Sequence, residues 1–190
     1  MTKLTRKQQI DKQAAVLFKT KGYAASSMRD LAQVLGIEAA SLYSHIKSKE
    51  EILHRICFRM ADAFFAAQKE TEYLDSQPEV HLKKAIAHHL EVISQNIDDA
   101  AVFFHEWRHL SEPYLSEFLV MRGDYEQQFI TIIERGIQVN TFRVVDAKLT
   151  AMTVLSAMNW IHRWYKPDGK LSIDQISEQL AEMMIKGLKS

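Results

Sequence analysis

The chain has 190 residues, 47% of them hydrophobic and 25% charged, which suits a soluble globular protein with room for one or two small domains. No apolar run nears the roughly 18 residues that cross a bilayer, and the basic, polar start MTKLTRKQQIDKQ lacks the apolar centre of a signal peptide. The net charge of zero conceals a division, because residues 1–59 carry eleven Lys/Arg against five Asp/Glu (+6) and the remainder thirteen against nineteen (−6), the pattern of a small unit that meets a polyanion.

Helical spacing of apolar residues runs through the chain, and strand alternation is missing. Ile10, Ala14, Leu17 and Phe18 make one face of a first helix, which Gly22 closes. Ser27-Met-Arg-Asp30 reads as a capping box that opens a short helix through Leu31, Ala32 and Leu35. Gly36 breaks the pattern, and another short helix passes through Leu42 and Tyr43. Ser48-Lys-Glu-Glu51 is a second capping box, ahead of a longer helix through Ile52, Leu53, Ile56 and Phe64. A polar stretch from Lys69 to Glu79 marks a domain junction, and helices follow at 79–96, 98–110, 113–138, 146–165 and 173–189. The expected fold is all-α, with a three-helix helix-turn-helix head at 1–60 and an antiparallel helical bundle at 61–190. Cys57 is the only cysteine, so no intrachain disulfide forms and a cytoplasmic location is expected.

The segment SSMRDLAQVLGIEAASLYSHIKSKEEIL carries the strongest functional signal. Leu31, Leu35, Ile37 and Leu42 can pack two short helices together across Gly36, leaving Glu38, Ala39, Ser41, Tyr43, Ser44 and His45 outward. Small and polar side chains let a helix enter the major groove, and Tyr43, His45, Lys47 and Lys49 suit phosphates. The run from AAVLFKTKGYAASSMRDLA through LGIEAASLYSHIKSKEEIL resembles the DNA-binding head of the TetR family of repressors, over residues 10–55. The resemblance implies a recognition helix at about 38–44 and a homodimer reading a palindromic, double-stranded operator. Carried over by position, Tyr43 and Lys49 become phosphate contacts, Ser27 and Arg29 sit near the backbone at the groove edge, and Glu38, Ala39 and Ser41 face base edges.

Beyond residue 60 the resemblance weakens and implies a ligand cavity plus two late helices pairing across the dimer. Helices 146–165 and 173–189 are the candidates, through stripes at Thr153, Val154, Ala157, Met158 and Ile161 and at Ile173, Ile176, Leu180, Met183, Met184 and Leu188. The stretches FFHEWRHLSEPY and NWIHRWYKPDGKLS resemble a TetR subgroup that senses acyl-CoA thioesters. Phe103, Phe104, Trp107, Trp160 and Trp164 would supply an apolar wall, and Arg108 and Arg163 an anionic-group contact.

Residues 105–109, HEWRH, match the H-E-x-x-H pattern of zinc proteases. On a helix at about 100° per residue, Ala100, Phe103, Phe104, Trp107 and Leu110 share a stripe, and His105 and His109 fall on its far side. A zinc site needs both histidines facing a cleft, so His105, Glu106 and His109 are read as a chance match. No catalytic residue, metal or cofactor is assigned, and His88-His89 is read as an exposed pair. The sequence thus reads as a ligand-responsive DNA-binding regulator, a repressor released by an apolar or acyl-CoA-type effector. Alternatives are a zinc-dependent hydrolase using HEWRH and a DNA-binding dimer without a small ligand.

Overall fold

The computed structural model describes residues 4–72 and 77–189. Among them the elements are helical, with one isolated antiparallel bridge between Phe142 and Lys189. In chain order the α-helices are α1 (Arg6–Lys21), α2 (Met28–Leu35), α3 (Ala39–Tyr43), α4 (Lys49–Glu72), α5 (Pro78–Gln95), α6 (Ile97–His105), α7 (Tyr114–Gln138), α8 (Ala147–Asn159) and α9 (Ile173–Leu188). Two 3₁₀ turns, Trp107–His109 and Trp160–Arg163, follow α6 and α8. Of the polar stretch at 69–79, residues 73–76 lie outside the described residues; Lys69 to Glu72 continue α4, and Pro78 opens α5. The chain divides into two compact units, residues 1–61 with 97–119, and residues 62–96 with 120–190. The segment around α6 therefore groups with the head helices.

In the first unit, α1 buries Ile10, Ala14 and Phe18 against Leu31, Leu42, Ile46, Ile52, Leu53 and Ile56, and Val102, Leu110 and Phe118 complete the same core. Local chemistry sets the helix ends. Thr5 and Gln8 form a capping box on α1, and Gly22, at φ 85°, donates its N–H to the Phe18 carbonyl. Ser27 and Asp30 form the expected box on α2. The second expected box is half made: the Glu51 N–H donates to Ser48 Oγ at 3.1 Å, but the Glu51 carboxylate accepts from the Lys47 N–H at 2.8 Å and from Arg55 at 2.6 Å.

In the second unit α5 packs chiefly on α9 and also meets α8. The core corrects one expectation, since His89 is buried rather than exposed. Its Nδ1 lies 2.9 Å from Tyr125 Oη and its Nε2 2.9 Å from Asn159 Oδ1, while Gln68 Nε2 donates to Tyr125 Oη at 3.2 Å. The ring stacks on Phe64 at 4.6 Å. Burial pushes the His89 pKa down to about 4, against a smaller opposing effect of the Asn159 hydrogen bond. His88 is half-buried, with Nδ1 2.7 Å from the Ala67 carbonyl.

Two long helices are shorter than their periodicity predicts. The segment 98–110 leaves α-geometry after His105, and 146–165 does so after Asn159. Val154, Met158 and Ile161 are buried within the chain itself, so they are not the pairing stripe expected of them; the exposed apolar side chains of α8 and α9 are Leu149, Met152 and Met183. Near the end of α7, a Cβ built on Gly136 would stand 2.1 Å from the buried Phe142 ring, and the Gly136 carbonyl accepts from the Thr141 and Phe142 N–H groups. Gly136→Ala is expected to destabilise the protein by about 1–3 kcal/mol through overpacking, read as a lowered urea midpoint with an unchanged slope.

Candidate nucleic-acid interface

The head is built around a glycine turn. Gly36 adopts the left-handed region (φ 65°, ψ 34°) that other residues enter at a cost, and the Ile37 N–H donates to the Ala32 carbonyl at 3.0 Å. That turn starts α3 while Leu42 and Ile46 anchor it in the core. With five residues, α3 is far below the roughly 12 at which a helix holds itself in water, so its neighbours hold it.

Glu38 precedes α3 and makes no side-chain cap, so its exposed carboxylate is not engaged with its own helix. Ser41, Tyr43, Ser44 and His45 are exposed, with Ser44 Oγ donating to the Ser41 carbonyl at 2.7 Å. Ala39, expected to face base edges, is half-buried and packs on the core, while Ala40 is exposed. The signal was available, because Ala39 stands three residues before the buried Leu42 and so shares its face.

The flanking residues have specific commitments. Ser27 Oγ donates to Asp30 Oδ2 at 2.7 Å and accepts from the Asp30 N–H at 3.1 Å, so its hydroxyl proton is engaged in the cap. This pairing, with Lys21 assisting, lowers the Asp30 pKa to about 2. Arg29 and Lys47 are exposed. Lys49 is half-buried, and its Nζ donates to the Tyr23 and Ser26 carbonyls at 2.7 Å each while lying 4.1 Å from the Tyr23 ring centroid. Desolvation lowers its pKa, countered by Asp30 and Glu106. Lys49 thus ties the start of α4 to the loop that carries Ser27.

HEWRH is not a helical pair of histidines. α6 ends at His105, Glu106 has φ −105° and ψ −5°, and Trp107–His109 is a 3₁₀ turn. The His109 ring stacks on Tyr23 at 5.1 Å, and its Nε2 lies 3.5 Å from Glu106 Oε2. Trp107 stacks on Phe118 at 5.7 Å. Among the described residues no group of three His, Cys, Asp or Glu side chains could hold a metal ion. The segment closes the head's core.

The aromatic residues expected to line an effector site fall into separate groups. Phe103, Phe104, Trp107 and Arg108 belong to the first unit, where the Arg108 guanidinium lies 4.5 Å from the Trp107 ring centroid. Trp160, Arg163 and Trp164 belong to the second, where Arg163 lies 4.6 Å from the Trp160 ring. Trp160 and Trp164 are about half exposed, at 54% and 50%. No helix is long and apolar enough to cross a membrane among the described residues.

Residues 10–56 match the family described as bacterial regulatory proteins, tetR family, and residues 75–188 match the tetracyclin repressor-like C-terminal domain. The chain belongs to the TetR family. It is a DNA-binding transcriptional regulator, and the α2–turn–α3 unit is its helix-turn-helix. It is 28% identical to the HTH-type transcriptional repressor KstR2 of Rhodococcus jostii (strain RHA1), over 93% of this chain and 88% of that protein. It is also similar to the TetR family transcriptional regulator PfmR from Thermus thermophilus, with 31% identity and a TM-score of 0.84 over 96% of this chain and all of the other. A third likeness is to AibR, in a crystal structure with isovaleryl coenzyme A and operator DNA, with 25% identity and a TM-score of 0.81 over 97% and 98% of the two chains. KstR2 and PfmR are transcriptional regulators by name, and none of the three is named as an enzyme.

Proposed function

We propose that this regulator is a cytoplasmic homodimer that represses transcription from a palindromic operator and is released by a small effector of the acyl-CoA class. The observation that carries the effector class is the likeness, over 97% of this chain, to AibR in complex with isovaleryl coenzyme A and operator DNA. Repression follows the named role of KstR2. DNA recognition is assigned to residues 1–60, and effector binding and dimerisation to 61–190. On the DNA side, Glu38, Ala40 and Ser41 address base edges, and Arg29, Tyr43, Ser44, His45, Lys47 and Lys49 address phosphates, while Ser27 holds the start of α2 at the groove edge, its hydroxyl and its backbone N–H both donating to Asp30. Exposed Leu149, Met152 and Met183 on α8 and α9 offer apolar surface for a second copy.

Two groups are candidate effector contacts, Phe103, Phe104, Trp107 and Arg108, and separately Trp160, Arg163 and Trp164. In each a guanidinium lies over an indole, a pairing that leaves its N–H edge free in direction for a phosphate. Titration calorimetry with an acyl-CoA series tests the reading. Affinity should rise by about 0.8 kcal/mol per added CH₂ until the apolar site is full, and operator affinity should fall in proportion to the coupling. Arg108→Gln or Arg163→Gln should weaken the thioester more than a neutral apolar analogue. If no member of the series binds below about millimolar, or binding leaves operator affinity unchanged, the effector class is wrong and the DNA-binding role stands.

A further inference from the structure

The first unit contains a buried carboxylate that DNA contact does not use. Asp11, on α1, is 3% exposed and accepts from Nε and Nη2 of Arg55 and from Nη1 of Arg59. Arg59 Nη2 continues to Asp99 on α6 at 2.8 Å. Arg55 Nη1 continues to Glu51 Oε1 at 2.6 Å, and Glu51 Oε2 accepts the Lys47 N–H at 2.8 Å. Lys47 lies in the short link between α3 and α4. An unbroken chain of charge-assisted hydrogen bonds therefore runs from α6, through α1 and α4, to the backbone that leaves the recognition helix.

We propose that Asp11 is a positioning residue for DNA recognition, holding Arg55 against Glu51 so that the Lys47 N–H, and with it the five-residue α3, keeps one orientation. Leu42 and Ile46 fix the depth of α3, but apolar contact is non-directional and leaves rotation of a one-turn helix weakly specified. The Glu51–Lys47 bond is directional, yet Glu51 is partly exposed, and a solvated carboxylate moves between partners. Arg55 restrains it because two of its N–H groups are locked on a carboxylate removed from water. Arg59 makes the same anchor common to α6. Without Asp11, two guanidiniums 44 and 48 residues from it in sequence lose their shared acceptor.

The inference rests on the DNA-binding role of the α3 face, and the wild-type protein tests that role separately through its preference for one sequence. The probes are the tightest duplex recovered from a randomised pool and a scrambled duplex of equal length. Asp11→Asn should lower the ratio of the two affinities by about tenfold or more, the scale on which misplaced base contacts are felt. It removes a negative charge, so affinity for the scrambled duplex should hold or rise. Exchange of the Lys47 amide, followed by NMR in the free protein, should accelerate by about tenfold as its acceptor loosens. Glu51→Ala alters only the partly exposed link, folds in the event that Asp11→Asn does not, and should reproduce both effects. A residue that merely stabilised the fold would lower the unfolding midpoint and leave the affinity ratio and the Lys47 exchange rate alone. Either folded variant with the wild-type ratio and wild-type Lys47 exchange overturns the proposal.

Discussion

Operator affinity is expected to fall about a thousandfold between roughly 50 and 200 mM monovalent salt. With Arg29, Lys47 and Lys49 on phosphates, as proposed, each head supplies three cations, hence six in a dimer. Each neutralised phosphate releases condensed counterions, so six give a slope near −5 in log affinity against log salt, and a fourfold rise in salt then multiplies to about three decades. Lys47, like Arg29, is a clean probe, because its side chain is exposed. Lys47→Ala should flatten the slope by about two per dimer and weaken binding to every sequence alike. Lys49→Ala should do more than this, since its ammonium also holds the Tyr23 and Ser26 carbonyls and through them the loop before α2. Fluorescence anisotropy at four or five salt concentrations measures the slope. A slope near zero would show that the head does not meet the phosphate backbone through these residues.

Acid is expected to destabilise the protein by about 3 kcal/mol through His89 alone. The folded pKa, about 4, lies below the ordinary 6.5, because the ring sits out of water between Tyr125, Asn159 and Phe64. A lowered histidine pKa means that the fold holds the neutral form. Above about pH 6.5 the ring is neutral in both states and the contribution is complete. As pH falls through that value the unfolded chain takes up a proton that the folded chain refuses, and stability drains until about pH 4, where the folded ring protonates too. Neutral His89 also satisfies its neighbours, with Nε2–H donating to Asn159 Oδ1 while Nδ1 accepts from the Tyr125 hydroxyl. Urea unfolding at a series of pH values, compared with His89→Gln, isolates this contribution. The variant should be less stable near neutrality and lose less stability between pH 6.5 and 4.5; parallel curves would refute the assignment.

The all-helical class, the helix-turn-helix, the C-terminal end of α1 and both ends of α2 were legible in sequence because the physics there is local. Apolar residues at Ile10, Ala14 and Phe18 need only helical geometry to share a face, Ser27 and Asp30 need three residues to cap one another, and Gly22 and Gly36 need only the missing Cβ. Ala39 could have been placed by the same rule through its spacing from Leu42. Other features depended on partners distant in the chain. HEWRH has helical letters, but packing of Trp107 on Phe118 and of His109 on Tyr23 accompanies a helix that stops at His105, so the two histidines never share a face. His89 stands in a polar doublet that reads as surface, and it is buried because Tyr125 and Asn159, 36 and 70 residues onward, satisfy both ring nitrogens. Lys49 and Asp11 look like ordinary solvated charges until the carbonyls of Tyr23 and Ser26 and the guanidiniums of Arg55 and Arg59 are brought to them. A buried polar group persists only where its hydrogen bonds are completed, and those partners are supplied by the tertiary fold, since the local sequence holds no record of them.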